Sequence, residues 1–406
     1  MGEGVTAMED NIRTGIGTRK WNIIKMALLV LLFSGCSPAS DAQVGVSSNG
    51  ISASQSSSHW DGPSAVQRQE QFLSSASMDP DLPLFSCEFR LNGGGSDEIW
   101  CEDISQVLFA SPWTTEMTFS TLPVFRNPLQ YFEGSITIHP DVEAMKEYLG
   151  EIAQRLGIEE QALSIQEEKA EYGFGQGVRR LLTERVTASI PYGTVSVSMD
   201  MSAQIHFEPA IPIPQELNTD YYAPLQQVSE LAEYMLQHHS GYFGMETPTI
   251  GIYGGRVNTY MQKSYGFYIY ESGDDPLEQL LGYSFDRGYF SFTANGEISR
   301  VFLSKMDDLP KLGDYPALTV EQAKEALLQG QYSDGPSTLP KEENIHQVQL
   351  VYRTAASPYF VPCYVFYVLI EKEQRRWDLV PDEAQEYVPY YVPAVDHRYI
   401  LDLPTW

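Results

Sequence analysis

The spacing of apolar residues changes repeatedly along this chain, and that change constrains the fold more than any other feature. In residues 140–157, 224–241 and 319–330, apolar side chains recur every three or four positions, which is typical of amphipathic helices. Thr319 and Gln322 have the spacing of a capping box, in which each side chain bonds a backbone amide at the start of a helix. After these segments apolar and polar residues alternate, which is typical of strands. The sequence therefore predicts both helices and sheets.

The predicted strands form antiparallel meanders. Phe285 is predicted to end one strand, with a turn at 286–288, and Asn295-Gly296 is a strong signal for a two-residue hairpin. Period-two runs predict further strands at 289–293, 298–303, 347–352, 360–370 and 390–400. We expect an α+β fold class, with helices packed on curved antiparallel sheets in repeated helix-then-meander units.

The N-terminus predicts export. Basic residues precede a short apolar run at 26–33, and Ser34-Gly35-Cys36 follows it. Because about 20 apolar residues are needed to cross a bilayer, this pattern indicates a signal peptide and not a membrane span. The run resembles the lipobox of bacterial lipoproteins, which implies that Cys36 receives a lipid and becomes the mature N-terminus. The expected location is the outer face of the cell membrane, and plain secretion is the alternative.

Composition divides the chain into four predicted segments. Residues 1–35 are the lipoprotein signal peptide, and 36–78 are a Ser/Gly-rich tether without periodic apolar residues. An N-terminal α+β domain is predicted at 79–214 and a C-terminal α+β domain at 215–406. The proline-containing segment 209–214 is the best candidate for the boundary between them.

The charge of the chain excludes one class of function. Its 406 residues include 54 acidic and 26 basic side chains, for a net charge of -28. Nucleic-acid binding needs clustered cations that release counterions from the phosphate backbone. We therefore expect no nucleic-acid partner.

The cysteines allow two interpretations. If the Gly-rich segment 92–96 is a hairpin turn, Cys87 and Cys101 lie opposite each other and form a candidate disulfide, which an oxidising compartment would favour. The alternative is two buried free thiols. Cys363 lies in an apolar strand and is expected in the core.

Motifs for catalysis are not found in the sequence. It contains no Gly-x-Ser-x-Gly, no His-Glu-x-x-His, no Ser-x-x-Lys and no phosphate loop. His238 and His239 are adjacent, so on a helix their side chains diverge by about 100° and do not chelate a metal together. We predict no catalytic residue, no metal site, no cofactor and no enzymatic activity.

The 25 tyrosines are the most unusual remaining feature. Tyr268 and Tyr270 share one face of a predicted strand, opposite Phe267 and Ile269. If the second pair is core, the two tyrosines are candidates for stacking on a sugar or anchoring a partner. An ordinary solvated sheet face is the alternative.

The C-terminal part resembles a known group of proteins. Tyr289 to Ile298, Tyr315 to Gly330 and the strands from Val348 to Val395 are similar to uncharacterised surface lipoproteins of Gram-positive bacteria, with PepSY and YycH-type helix-and-sheet modules. The resemblance covers residues 280–400 and the lipobox. YycH-type proteins regulate membrane sensor kinases, and PepSY modules are implicated in protease regulation.

Two functions follow as expectations. The resemblance implies a lipid-anchored, non-enzymatic interaction or regulatory module with an envelope or membrane protein as partner. The alternative is a lipoprotein that binds a glycan or a small ligand through an aromatic sheet face.

Overall fold

The computed structural model describes residues 78–87, 98–127, 131–132, 135–136, 140–173, 179–306, 309–354, 358–372, 375 and 380–403. All of them belong to one compact unit, Pro63–Trp406. The predicted signal peptide, Cys36, the tether up to residue 77 and the turn at 92–96 lie outside the described residues. Helices and antiparallel sheets are both present, which confirms the α+β class. The repetition of helix-then-meander units stays a prediction.

The described helices are α1 (Val142–Arg155), α2 (Leu225–His239), α3 (Pro276–Phe285) and α4 (Val320–Leu328). The described strands are β1 (Ile99–Cys101), β2 (Thr121–Arg126), β3 (Tyr131–Phe132), β4 (Ser135–Ile136), β5 (Ile165–Gly173), β6 (Arg179–Ile190), β7 (Gly193–Ser198), β8 (Ser202–Ile211), β9 (Pro248–Val257), β10 (Lys263–Glu271), β11 (Asp286–Phe292), β12 (Ile298–Lys305), β13 (Lys311–Pro316), β14 (Ile345–Arg353), β15 (Tyr359–Ile370) and β16 (Gln385–Pro393).

The three helices predicted from apolar spacing are confirmed as α1, α2 and α4. Asp141 accepts a hydrogen bond from the amide of Ala144 at the start of α1. The predicted capping box at α4 is present, with Thr319 and Gln322 bonding each other's backbone amides. The starts of these helices could be predicted because an N-terminal cap depends only on residues within one helical turn.

Phe285 was predicted to end a strand, and that prediction is wrong. Phe285 is the last residue of α3, and residues 286–288 belong to β11 and not to a turn. Asp275 starts α3 by accepting hydrogen bonds from the amides of Leu277 and Glu278, and Pro276 occupies the first helical position. These local signals override the β propensity of the aromatic residues.

The predicted strand at 390–400 also ends earlier than expected. β16 stops at Pro393, and His397–Tyr399 form a short 3-10 helix. The side chain of Asp396 accepts a hydrogen bond from the amide of Arg398 and so turns the chain away from the sheet.

An eight-stranded antiparallel sheet forms the first layer. Its strand order is β5-β6-β7-β8-β12-β11-β10-β9, so β8 pairs with β12 and the sheet contains residues from both sides of position 214. One face is covered by α1 and α2. The core between them is made of aliphatic side chains such as Met145, Leu149, Val195, Ile205, Leu231, Met235, Ile269 and Val301.

A six-stranded sheet forms the second core, together with α3 and α4. Its main strand order is β1-β16-β15-β2-β13, and β14 also pairs with β15. Many of its buried side chains are tyrosines whose hydroxyls donate to backbone carbonyls. Such bonds join Tyr315 to Pro83, Tyr352 to Pro123, Tyr364 to Leu318 and Tyr390 to Thr338. Much of the tyrosine content is therefore structural, because each ring fills the core while its hydroxyl is satisfied.

The cysteines that the structure describes, Cys87, Cys101 and Cys363, are free and buried. Cys101 lies in β1, where its Cα partner is Gln385 of β16, and neither Cys87 nor Cys363 is disulfide-bonded. This arrangement is the free-thiol alternative. Burial raises the pKa of Cys101 to about 11 and that of Cys363 to about 12, so both thiols are protonated at neutral pH.

Candidate protein-binding surface

Tyr268 and Tyr270 lie on the face of the eight-stranded sheet opposite α1 and α2. Phe267 and Ile269, which alternate with them on β10, point into the core as predicted. Tyr270 is only 6% exposed, and its ring lies edge-to-face against Tyr283 of α3, with ring centroids 5.5 Å apart. The ring of Tyr270 is therefore packed against Tyr283 and is not presented to a ligand.

Tyr268 has neighbours over its ring from both adjacent strands. Tyr253 of β9 stacks on it at a centroid distance of 4.8 Å and an interplanar angle of 25°. The guanidinium of Arg287 on β11 lies 4.8 Å from the centroid of the same ring. A sugar stacks on a free ring face, and these contacts occupy the ring of Tyr268. The ring of Tyr268 is therefore less open to a sugar than the sequence suggested.

The phenols of Tyr253, Tyr283 and Tyr289 stay neutral at physiological pH. Burial raises the pKa of Tyr253, and the neighbouring phenols of Tyr268 and Tyr221 raise it further. Burial also raises the pKa values of Tyr283 and Tyr289. These groups act as apolar rings and neutral hydrogen-bonding groups, not as phenolate bases.

Three exposed tyrosines lie at one end of β9 and β10, and we call them the tyrosine patch. Tyr221 is 45% exposed, Tyr222 is 42% exposed and Tyr260 is 81% exposed. Tyr221 and Tyr222 are in edge-to-face contact, with centroids 4.9 Å apart. Tyrosine is enriched at protein interfaces because its ring buries a large apolar area while its hydroxyl tolerates water.

Asn258 holds the tyrosine patch together. Its Nδ2 donates to the hydroxyl of Tyr222 at 2.9 Å and to Oε1 of Gln262 at 3.0 Å. Its Oδ1 accepts from the amides of Tyr260 at 2.8 Å and of Gln262 at 3.0 Å. One side chain therefore joins the loop before α2 to the turn between β9 and β10.

The turn that carries Tyr260 is ordered by its own backbone. The amide of Asn258 donates to the carbonyl of Gln262 at 3.1 Å, and the amide of Met261 donates to the carbonyl of Asn258 at 3.0 Å. Met261 adopts a positive φ of 61°, which closes the turn. A surface that is ordered before binding loses less conformational entropy when a partner docks.

The tyrosine patch was not predicted from the sequence. Asp220 and Asn258 each carried a local signal, because these side chains readily accept hydrogen bonds from amides two residues later. Asp220 bonds the amide of Tyr222 at 2.8 Å in this way. The two loops meet because α2 packs on β9 and β10, and Tyr222 and Asn258 are 36 residues apart in the chain, so no local pattern signals the contact.

His238 and His239 are adjacent at the end of α2. His238 at the end of α2 contacts the carbonyl of Tyr234, with a distance of 3.0 Å from Nδ1 to the oxygen. Burial lowers the pKa of His239, and the neighbouring His238 lowers it further. In the described ranges, no group of three or more His, Cys, Asp or Glu side chains is arranged to hold a metal ion.

Comparisons with known proteins leave the resemblance an expectation. No family profile and no curated protein sequence matches the chain. Among the helices that the structure describes, none is both long and apolar enough to cross a membrane.

Proposed function

We propose that the chain is a lipid-anchored, extracytoplasmic, non-enzymatic interaction module that binds an envelope or membrane protein through the tyrosine patch. The observation that carries this proposal is the set of exposed rings at Tyr221, Tyr222 and Tyr260, ordered by Asn258. The N-terminal segment supports the anchor at Cys36.

The chemistry of the tyrosine patch fits a protein partner. Exposed aromatic rings that lie together are typical binding hot spots, and truncating one commonly costs about 2 kcal/mol of binding free energy or more. Here the rings stand on a turn whose geometry is already fixed. A regulatory role of the kind found in PepSY and YycH-type modules is part of this proposal, as is the repetition of helix-then-meander units.

Glycan binding through Tyr268 and Tyr270 is the weaker alternative. Tyr270 is buried, and Tyr253 and Arg287 cover Tyr268. Neither ring offers the open apolar face that stacking on a sugar requires.

The test is crosslinking on intact cells with a membrane-impermeant amine reagent, followed by mass spectrometry. The native chain, Cys36→Ala and Tyr260→Ala are compared, with Leu181→Ala as the matched control. Leu181 is also strongly exposed, at 62%, but lies on β6.

We expect the native chain and Leu181→Ala to recover the same membrane protein, and both Cys36→Ala and Tyr260→Ala to lose it. Equal recovery with Tyr260→Ala would remove the tyrosine patch from the proposal. A native chain that is not labelled, beside surface proteins that are, would contradict export.

A further inference from the structure

We draw no further inference here: the strongest candidate, the two-stranded ribbon of β5 and β6 where β6 runs beyond its pairing with β7, carries the exposed side chain of Leu181, but its Arg179 is already paired with Glu171 and nothing in the structure shows what covers it.

Discussion

At the scale of single residues, Asn258 is the side chain on which the proposed binding surface most depends. It makes four hydrogen bonds, to Tyr222, to the amide of Tyr260 and to both the amide and the side chain of Gln262. No ring of the tyrosine patch is held by burial. The positions of the rings therefore depend on this amide and on the backbone of the turn.

Asn258→Ala is expected to destabilise the chain by about 1–2 kcal/mol, because the amides of Tyr260 and Gln262 both lose their acceptor. It should also weaken partner binding, since Tyr222 and Tyr260 lose their fixed separation. Asn258→Asp is the matched control, because it keeps the acceptor for the amides of Tyr260 and Gln262 but loses the donor to Tyr222. Urea unfolding checks the stability change, and equal stability of the alanine variant and the native chain would contradict it.

At the scale of elements, the sequence predicts what local chemistry determines. α1, α2 and α4 could be predicted because their caps and apolar spacing lie within the segments themselves. α3 was missed, although Asp275 and Pro276 carry its N-terminal signal, because the aromatic residues up to Phe285 favoured a strand. The pairing of β8 with β12 has no local signal, since about 90 residues separate the two strands. The tyrosine patch was missed because its two loops meet only through the packing of α2 on β9 and β10, which no local pattern signals.

The start of α3 provides a test at this scale. Asp275→Ala is expected to cost about 1 kcal/mol of unfolding free energy, because the amides of Leu277 and Glu278 lose their capping acceptor. The neighbouring Asp274→Ala is the control, since the Asp274 side chain does not cap the helix. Denaturant unfolding compares the two variants, and equal stabilities would show that this cap does not stabilise α3.

A buried histidine in the 3-10 helix after β16 is expected to make the free energy of unfolding depend on pH. His397 is buried, and its Nε2 lies 3.1 Å from the carbonyl of Pro393. Burial lowers the pKa of His397, although the bond to Pro393 and the charge of Asp396 act in the opposite direction. Below the unfolded pKa of about 6.5 the unfolded chain binds a proton more readily, so stability is full above that pH and decreases as the pH falls.

His397→Gln is expected to reduce this pH dependence, because glutamine does not titrate and still donates to the carbonyl of Pro393. The unfolding free energy is compared at pH 7.5 and pH 5.5 in both proteins, with the smaller decrease expected in the variant. His238→Gln is the control, since His238 is exposed at the end of α2. An unchanged decrease in His397→Gln would assign the pH dependence to other groups.

At the scale of the whole molecule, the structure separates tyrosines that build the fold from tyrosines that face solvent. The second core uses buried rings such as Tyr315 and Tyr390, whose hydroxyls are satisfied by backbone carbonyls. Tyr221, Tyr222 and Tyr260 contribute little to either core. The count of tyrosines indicated an unusual feature, but the division between the two groups depends on burial, which sequence alone does not give. An acidic body with an ordered aromatic surface is what the proposed interaction module requires.

Replacement of Tyr260 by a photoreactive phenylalanine analogue tests the central claim most directly. Tyr260 is 81% exposed, so the substitution leaves the fold intact, and the analogue reacts only with atoms in contact with that position. Irradiation of intact cells is expected to give one discrete crosslinked protein from position 260 and none from the control position, Leu181. The absence of a crosslink at 260, or the same product from both positions, would contradict a specific protein-binding surface at the tyrosine patch.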